Sequence, residues 1–300
     1  MTNTAPGPLL ADCRRPRSDR PVRLCVIADP HVTATGTGTW KMAHRSETLF
    51  GRAVAVANRL DPTLTLLAGD LTGDGRPASF DAVDTALAAL EHPWVAVPGN
   101  HDVPKAFDDH EPPASSFEAR YGELPTVLGA GPVSVLAVNT ASAPDGSLRT
   151  TWGGRLGERD RTWLAETLPD VEIPILLCHH NVGALPDAPS GKFRQFQLRD
   201  ADAVRQLLTD QRVGLAITGH HHVPAVLTHD TTTEVLSPAV CSYPHAMATV
   251  DIDTDGTRVR LVPLASRAEV SEARCAAVTG KPLARGVATL VDRRLNSLGE

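Results

Sequence analysis

Short aliphatic and β-branched runs that end in Asp, Asn or His, separated by helical stripes, constrain this chain more than any other feature. Val22 to Ala28 reads as a buried strand ending in Asp29-Pro30-His31, and Leu64 to Ala68 as a second, ending in Gly69-Asp70. Trp94 to Val97 runs into Pro98-Gly99-Asn100-His101-Asp102, Ile173 to Cys178 into His179-His180, and Gly214 to Thr218 into Gly219-His220-His221-His222. Helical patterns lie between them, with Leu49, Ala53, Val56 and Leu60 on one face and Phe80, Val83, Leu87 and Leu90 on another. Leu156 to Leu168 and the stretch after the capping Asp200 continue that alternation, and Val133 to Asn139 adds a strand. After His222 the helices stop, and Ala225–His229, Thr233–Leu236, Ala246–Ile252 and Arg258–Pro263 read as short strands. A chain that opens in βαβ units and closes β-rich predicts a layered sheet sandwich flanked by helices.

The organisation around that core follows from composition. Residues 1–21, rich in Pro, Thr and Arg, read as a disordered leader without the apolar stretch of a secretory signal. Residues 22–265 read as the folded domain, with a loop from Val103 to Gly131. Residues 266–300 read as a tail or short helix that covers the sandwich or meets a second copy of the chain. No apolar run approaches the roughly 20 residues that span a bilayer. The net charge of -6, from 29 basic and 35 acidic residues, lacks the cationic cluster that nucleic-acid backbones recruit. Five cysteines with no CxxC pair point to a reducing, cytoplasmic setting.

The five strand ends carry the chemistry, because ligands of α/β sheets bind at the carboxyl edge. Residues two apart in an extended segment share a side, so Asp29 with His31, and His220 with His222, can point into one site. Imidazole mixed with carboxylate and no thiolate suits Mn, Fe or Zn. A metal pair about 3.5–4 Å apart can clamp the attacking and leaving oxygens of a phosphoryl displacement. Taken singly, each motif has a plainer explanation: a turn at Gly69-Asp70, an Asx turn at Asn100, an exposed loop at the histidine triple. All five in order favour the metal site.

The ordered set Asp29-x-His31, Gly69-Asp70, Gly99-Asn100-His101-Asp102, His179 and Gly219-His220-x-His222 resembles the calcineurin-like metallophosphoesterases over about Val22 to Pro263. That resemblance implies a four-layer αββα sandwich of two mixed β-sheets flanked by helices, an α+β or α/β fold, with two divalent metal ions. It implies that Asp29, His31 and His222 hold one metal, Asn100, His179 and His220 the other, and that Asp70 bridges them. His101 would face the substrate without binding metal and Asp102 would orient it. Gly69-Asp70-Leu71-Thr72-Gly73-Asp74-Gly75 and Trp152-Gly153-Gly154-Arg155-Leu156-Gly157 resemble the class III cyclic-nucleotide phosphodiesterases. Gly73 stands where purple acid phosphatases carry a metal-binding Tyr. Asn181-Val182 departs from relatives that often carry prolines there, so the mouth of the site is expected to differ.

The remaining histidines read as structural. His221 is expected to point away from the metals, His180 to line the site or pack beneath it, and His245 to be a loop residue. His44, His92, His110 and His229 have no partner spacing. Trp40 either flanks a bound base or packs under its loop. The expected activity is hydrolysis of a small phosphodiester, with a 3′,5′-cyclic nucleotide the leading substrate. A phosphomonoesterase or nuclease on the same centre is the alternative. A non-catalytic interaction module would be expected to lack some of these ligands or His101, and here the set is complete.

Overall fold

A computed structural model of the chain describes residues 7–107, 116–188, 193 and 196–298. Its strands are β1 (Leu9–Cys13), β2 (Val22–Ile27), β3 (Leu64–Leu67), β4 (Trp94–Ala96), β5 (Thr126–Ala130) and β6 (Val133–Ala137). They continue with β7 (Ile173–Leu177), β8 (Leu215–Thr218), β9 (Ala225–His229), β10 (Thr232–Leu236), β11 (Ala246–Ile252) and β12 (Thr257–Pro263). The helices are α1 (Ser46–Leu60), α2 (Pro77–Leu87), α3 (Ser116–Tyr121), α4 (Glu158–Thr167), α5 (Ala201–Asp210), α6 (Arg267–Val278) and α7 (Pro282–Ser297).

These strands form two six-stranded mixed sheets, ordered β1-β12-β11-β2-β3-β4 and β5-β6-β7-β8-β10-β9. In the first, β2, β3 and β4 run parallel while β11 and β12 are antiparallel neighbours. In the second, β6, β7, β8 and β10 are parallel and β5 and β9 close the edges antiparallel. The alternation of side chains along each strand decides the layering. On β2, Val22, Leu24 and Val26 face the core between the sheets, while Cys25 and Ile27 face outward under α1 and α2. On β7, Ile175 and Leu177 meet the same central core, and Leu176 packs outward with Leu164 of α4 and Val204 and Leu208 of α5. The result is the αββα sandwich expected from the sequence.

Three segments differ from the sequence reading. Leu9–Cys13, inside the expected disordered leader, forms β1 because β12 offers it a free antiparallel ladder and Leu10 and Ala11 pack against the central core. The expected loop from Val103 to Gly131 contains α3 and β5, and β5 turns at Gly131-Pro132 into β6. The segment after Ala265, read as a tail or short helix, is a hairpin of two helices. α6 starts with a capping box, in which the Ser266 side chain accepts from the Glu269 amide and the Glu269 carboxylate accepts from the Ser266 amide. Ala273 of α6 and Val287, Leu290 and Val291 of α7 then bury against Val223, Leu236 and Tyr243. Among the described residues, no helix is long and apolar enough to cross a membrane.

Candidate metal centre

The parallel strands β2, β3, β4, β7 and β8 all deliver their carboxyl ends to one edge of the sandwich, and the loops that follow carry the five motifs. The backbone there is strained. Asp29, His31, Asp70, His220 and His222 all have positive φ, between 43° and 67°, a region that costs a non-glycine residue about 1–3 kcal/mol. The glycines in front of the ligands answer a crowding problem. A Cβ on Gly69, at φ +87°, would run into the His179 ring, and one on Gly99 would run into the Asp70 carboxylate.

The side chains converge in two groups that share Asp70. His31 Nε2 lies 3.3 Å from His222 Nε2 and 3.3 Å from Asp70 Oδ2, and His222 Nε2 lies 3.3 Å from Asp29 Oδ1. On the other side, His179 Nε2 lies 3.4 Å from Asp70 Oδ2 and 3.2 Å from His220 Nδ1. Donor atoms held about 2.1 Å from one metal lie about 3.0–3.4 Å from each other, so these spacings suit donors that share an ion. Asp29 Oδ1, Asn100 Oδ1 and His220 Nε2 are buried with no hydrogen-bond partner. Orphaned acceptors of that kind are costly unless a cation meets them. The residues therefore fit a metal pair.

Outer contacts set the tautomers. His179 Nδ1–H donates to the Ala68 carbonyl at 2.8 Å, and His222 Nδ1 meets Ser242 Oγ at 2.8 Å. Each arrangement leaves Nε2 for the cluster. Asp29 Oδ2 accepts from the His220 amide at 2.9 Å and Asp70 Oδ1 from the His101 amide at 2.8 Å, so the carboxylates also lock the motifs to one another. Burial pushes the Asp29 carboxyl up, but His222 and His31 outweigh it and hold the group well below the carboxylate range. Asp70 is likewise held low against burial by His179, His101 and His31. His179 is pushed down by burial yet raised to about 9 by Asp70 and Asp29. Burial pushes His31 and His220 well down, which keeps their rings neutral and able to ligate.

His101 lies against this donor set, its ring 4.6 Å from that of His31 and close enough to group with His31 and Asp70. Its Nδ1–H donates to the Gly73 carbonyl at 2.8 Å, its ring stacks on Trp152 at 4.9 Å, and Nε2 faces the cavity, where Lys41 Nζ lies 3.2 Å away. Burial and Lys41 push it down to about 4. Asp102, expected from the sequence to orient it, makes no hydrogen bond to the His101 ring among the described residues. Its Oδ2 accepts from the amides of Leu71 and Gly99, and its Oδ1 from the amide and hydroxyl of Thr72. Asp102 thus clamps the Asp70 loop to the Asn100 loop. Burial and the Asp70 charge push its carboxyl up, and those amides pull the other way.

His180 packs beneath the site and grips the Trp152 loop. Its Nε2–H donates to the Trp152 carbonyl at 3.0 Å, and Nδ1 accepts from the Thr140 hydroxyl at 2.9 Å. His221 is buried and stacks on Phe193, and buried His245 bonds the Val240 carbonyl. His229 and His44 pair with Glu234 and Glu272, His92 lies 3.8 Å from Asp61, and His110 lies outside the described residues. Asn181-Val182 turns inward, fixed by the buried Glu234 carboxylate, which accepts from the amides of Val182 and Gly183 at 2.7 Å.

A cavity of about 140 Å³ opens over the centre, lined by Asp70, Asn100, His101, His220, His221 and His222 and by Trp40, Lys41, Trp152, Phe193, Phe196, Leu283 and Val287. Sequence reasoning left Trp40 between a base and its loop; it lies 5.1 Å from the His222 ring. The two phenylalanines lie in the loop from Asn181 to Phe196, which the sequence marks for specificity, whereas no motif spacing marks Lys41 or the α7 residues.

Comparison with known proteins gives concordant results. A family model described as calcineurin-like phosphoesterase matches residues 22–224. A probable cyclic nucleotide phosphodiesterase of Synechococcus sp. is 25% identical over 78% of this chain and 86% of its own length. A probable glycerophosphodiester phosphodiesterase of Arcobacter nitrofigilis is 23% identical over 51% of this chain and 55% of its own. Among solved structures, a dimetal phosphatase from Danio rerio superposes with a TM-score of 0.66 at 15% identity, covering 82% of this chain and 97% of that one.

Proposed function

The chain belongs to the calcineurin-like phosphoesterase family and is a metal-dependent phosphoric ester hydrolase, and from that premise we propose that it cleaves a small phosphodiester, with a 3′,5′-cyclic nucleotide as the leading substrate. The family works through a dinuclear divalent metal centre. In this proposal Asp29, His31 and His222 hold one ion, Asn100, His179 and His220 the other, and Asp70 both; Mn, Fe and Zn all suit such a donor set. The observation that carries the assignment is Asp70 Oδ2, 3.3 Å from His31 Nε2 and 3.4 Å from His179 Nε2, between two groups that include the unpartnered Asp29 Oδ1, Asn100 Oδ1 and His220 Nε2.

When bound, the metal pair supplies a water acidic enough to attack at neutral pH and neutralises charge on the phosphoryl oxygens. The chain's own residues do the rest. Asp70 and Asp29 fix the geometry of the motif loops through the His101 and His220 amides. His101, with Nδ1–H committed to Gly73, presents Nε2 to the cavity. A phosphate anion beside that nitrogen raises its proton affinity, so His101 holds a proton at Nε2 for the departing oxygen. The aromatic and aliphatic rim gives the ester an apolar wall beside the centre.

Two relatives named for phosphodiester substrates support the diester. The test is a substrate panel on manganese-loaded protein: bis(p-nitrophenyl) phosphate, p-nitrophenyl phosphate, 3′,5′-cyclic AMP and glycerophosphocholine. Faster cleavage of diesters than of the monoester is expected, with cyclic AMP ahead of glycerophosphocholine. A faster monoester would replace the diester reading with a phosphomonoesterase.

A further inference from the structure

We propose that Lys41 is a phosphoryl-binding residue, whose ammonium holds a non-bridging oxygen of the substrate and of the product on the side of the cavity that faces His101. Lys41 Nζ lies 3.1 Å from His31 Nε2 and 3.2 Å from His101 Nε2, and it lines the same cavity as Asp70 and Asn100. Among the described residues, no carboxylate lies within 4.0 Å of that ammonium; its neighbours are imidazole rings and, at 5.9 Å, the Trp40 ring.

An ammonium carries three donors, and with no carboxylate within reach among the described residues one of them is available to an anion in the cavity. Two divalent ions against the carboxylates of Asp29 and Asp70 leave an excess of positive charge, to which Lys41 adds. An anion in the cavity is what balances this arrangement. Phosphodiester hydrolysis raises the negative charge on the phosphoryl group, so a fixed ammonium there favours the transition state and the product over the starting diester.

The position is built rather than incidental. Met42, the next residue, is 2% exposed and anchored with Val223, Leu236 and Tyr243, the Lys41 amide donates to Thr39 Oγ1 at 3.1 Å, and the Met42 amide donates to the Thr39 carbonyl at 2.8 Å. A 3-10 turn (Ala43–Arg45) leads from there straight into α1. Lys41 therefore reaches the cavity from a pinned backbone, next to the Asp29-His31 motif that opens the same loop.

The assignment rests on the dinuclear reading of the site, and the experiment separates the two. Manganese-loaded wild type, Lys41→Met and Lys41→Arg are compared for metal content, for calorimetric binding of inorganic phosphate, and for kcat and KM on bis(p-nitrophenyl) phosphate. In Lys41→Met, retained metal, phosphate binding weaker by about 10–100-fold and a similar fall in kcat/KM are expected, with partial recovery in Lys41→Arg. Retained metal with unchanged phosphate affinity overturns the assignment and leaves the metal centre standing. Altered metal content with unchanged phosphate affinity per loaded site also overturns it, since Lys41 then acts on loading. A metal-loaded wild type without turnover counts against the hydrolase reading, and the phosphate titrations still decide Lys41. A wild type that takes up no metal sinks both.

Discussion

Asp102→Ala removes a carboxylate that accepts from the amides of Leu71, Thr72 and Gly99 and from the Thr72 hydroxyl, at 2.8 to 3.0 Å. Asp102, Leu71 and Thr72 are all at or below 1% exposure, so those donors have no ready access to solvent. A buried amide left without an acceptor costs about 1–3 kcal/mol, which puts the ceiling for three at about 9 kcal/mol. The hydroxyl can rotate and water can enter the vacated space, so a loss of about 4 kcal/mol is the expected value. For a chain this long that is a fall in Tm of about 8 °C. Differential scanning calorimetry on metal-free protein isolates the effect from any loss of metal. Asp102→Asn should fall in between, because one oxygen still accepts. An Asp102→Ala protein with unchanged Tm, and a defect confined to one limb of its pH–rate profile, would refute the clamp and return Asp102 to orienting His101.

Other outcomes follow from the same geometry. Asn100→Ala and His220→Ala are each expected to cut bound manganese from about two equivalents toward one and to slow diester hydrolysis by about 100-fold or more; elemental analysis and turnover on bis(p-nitrophenyl) phosphate check this, and near wild-type turnover in Asn100→Ala would sink its assignment. His101→Ala should keep its metal complement while kcat falls about 10²–10⁴-fold; metal loss there would mean His101 is a ligand. In metal-free protein, burial pushes His31, His180 and His220 well down and His101 to about 4. Below the ordinary histidine value of about 6.5 the unfolded chain binds protons that the folded protein refuses, so Tm should fall as pH drops from 6.5 toward 4. His179, pushed down by burial but raised by Asp70 to about 9, acts the other way: its stabilisation is present below 6.5 and fades as pH rises through 9. A flat Tm between pH 7 and 5 would contradict the histidine burial.

Much of this was legible because strand ends in an α/β sandwich are both a sequence pattern and a place. The runs that terminate at Asp29, Asp70, Asn100, His179 and His220 state their own strand, and the sheet order brings those ends together without further instruction. Leu9–Cys13 was hidden because a five-residue edge strand takes its stability from the partner it pairs with, not from its own composition. The C-terminal hairpin was hidden less deeply: Ser266-x-x-Glu269 is a capping-box pattern, and Leu283, Val287, Leu290 and Val291 keep helical spacing.

The expectation for Asp102 has a different origin. Adjacency to His101 suggested a carboxylate–imidazole pair, but consecutive residues in a tight turn point apart, and the Asp102 carboxylate turns to the amides behind it. Lys41, Phe193, Phe196 and Val287 reach the cavity from three separate parts of the chain. No spacing rule joins them, so only the assembled fold reveals the rim.

Anomalous diffraction at the manganese edge from metal-soaked crystals tests the dinuclear assignment most directly. Two peaks about 3.5–4 Å apart, one among Asp29, His31 and His222, the other among Asn100, His179 and His220, with the Asp70 carboxylate between them, are the expected result. A single peak, or peaks away from Asp70, would contradict it.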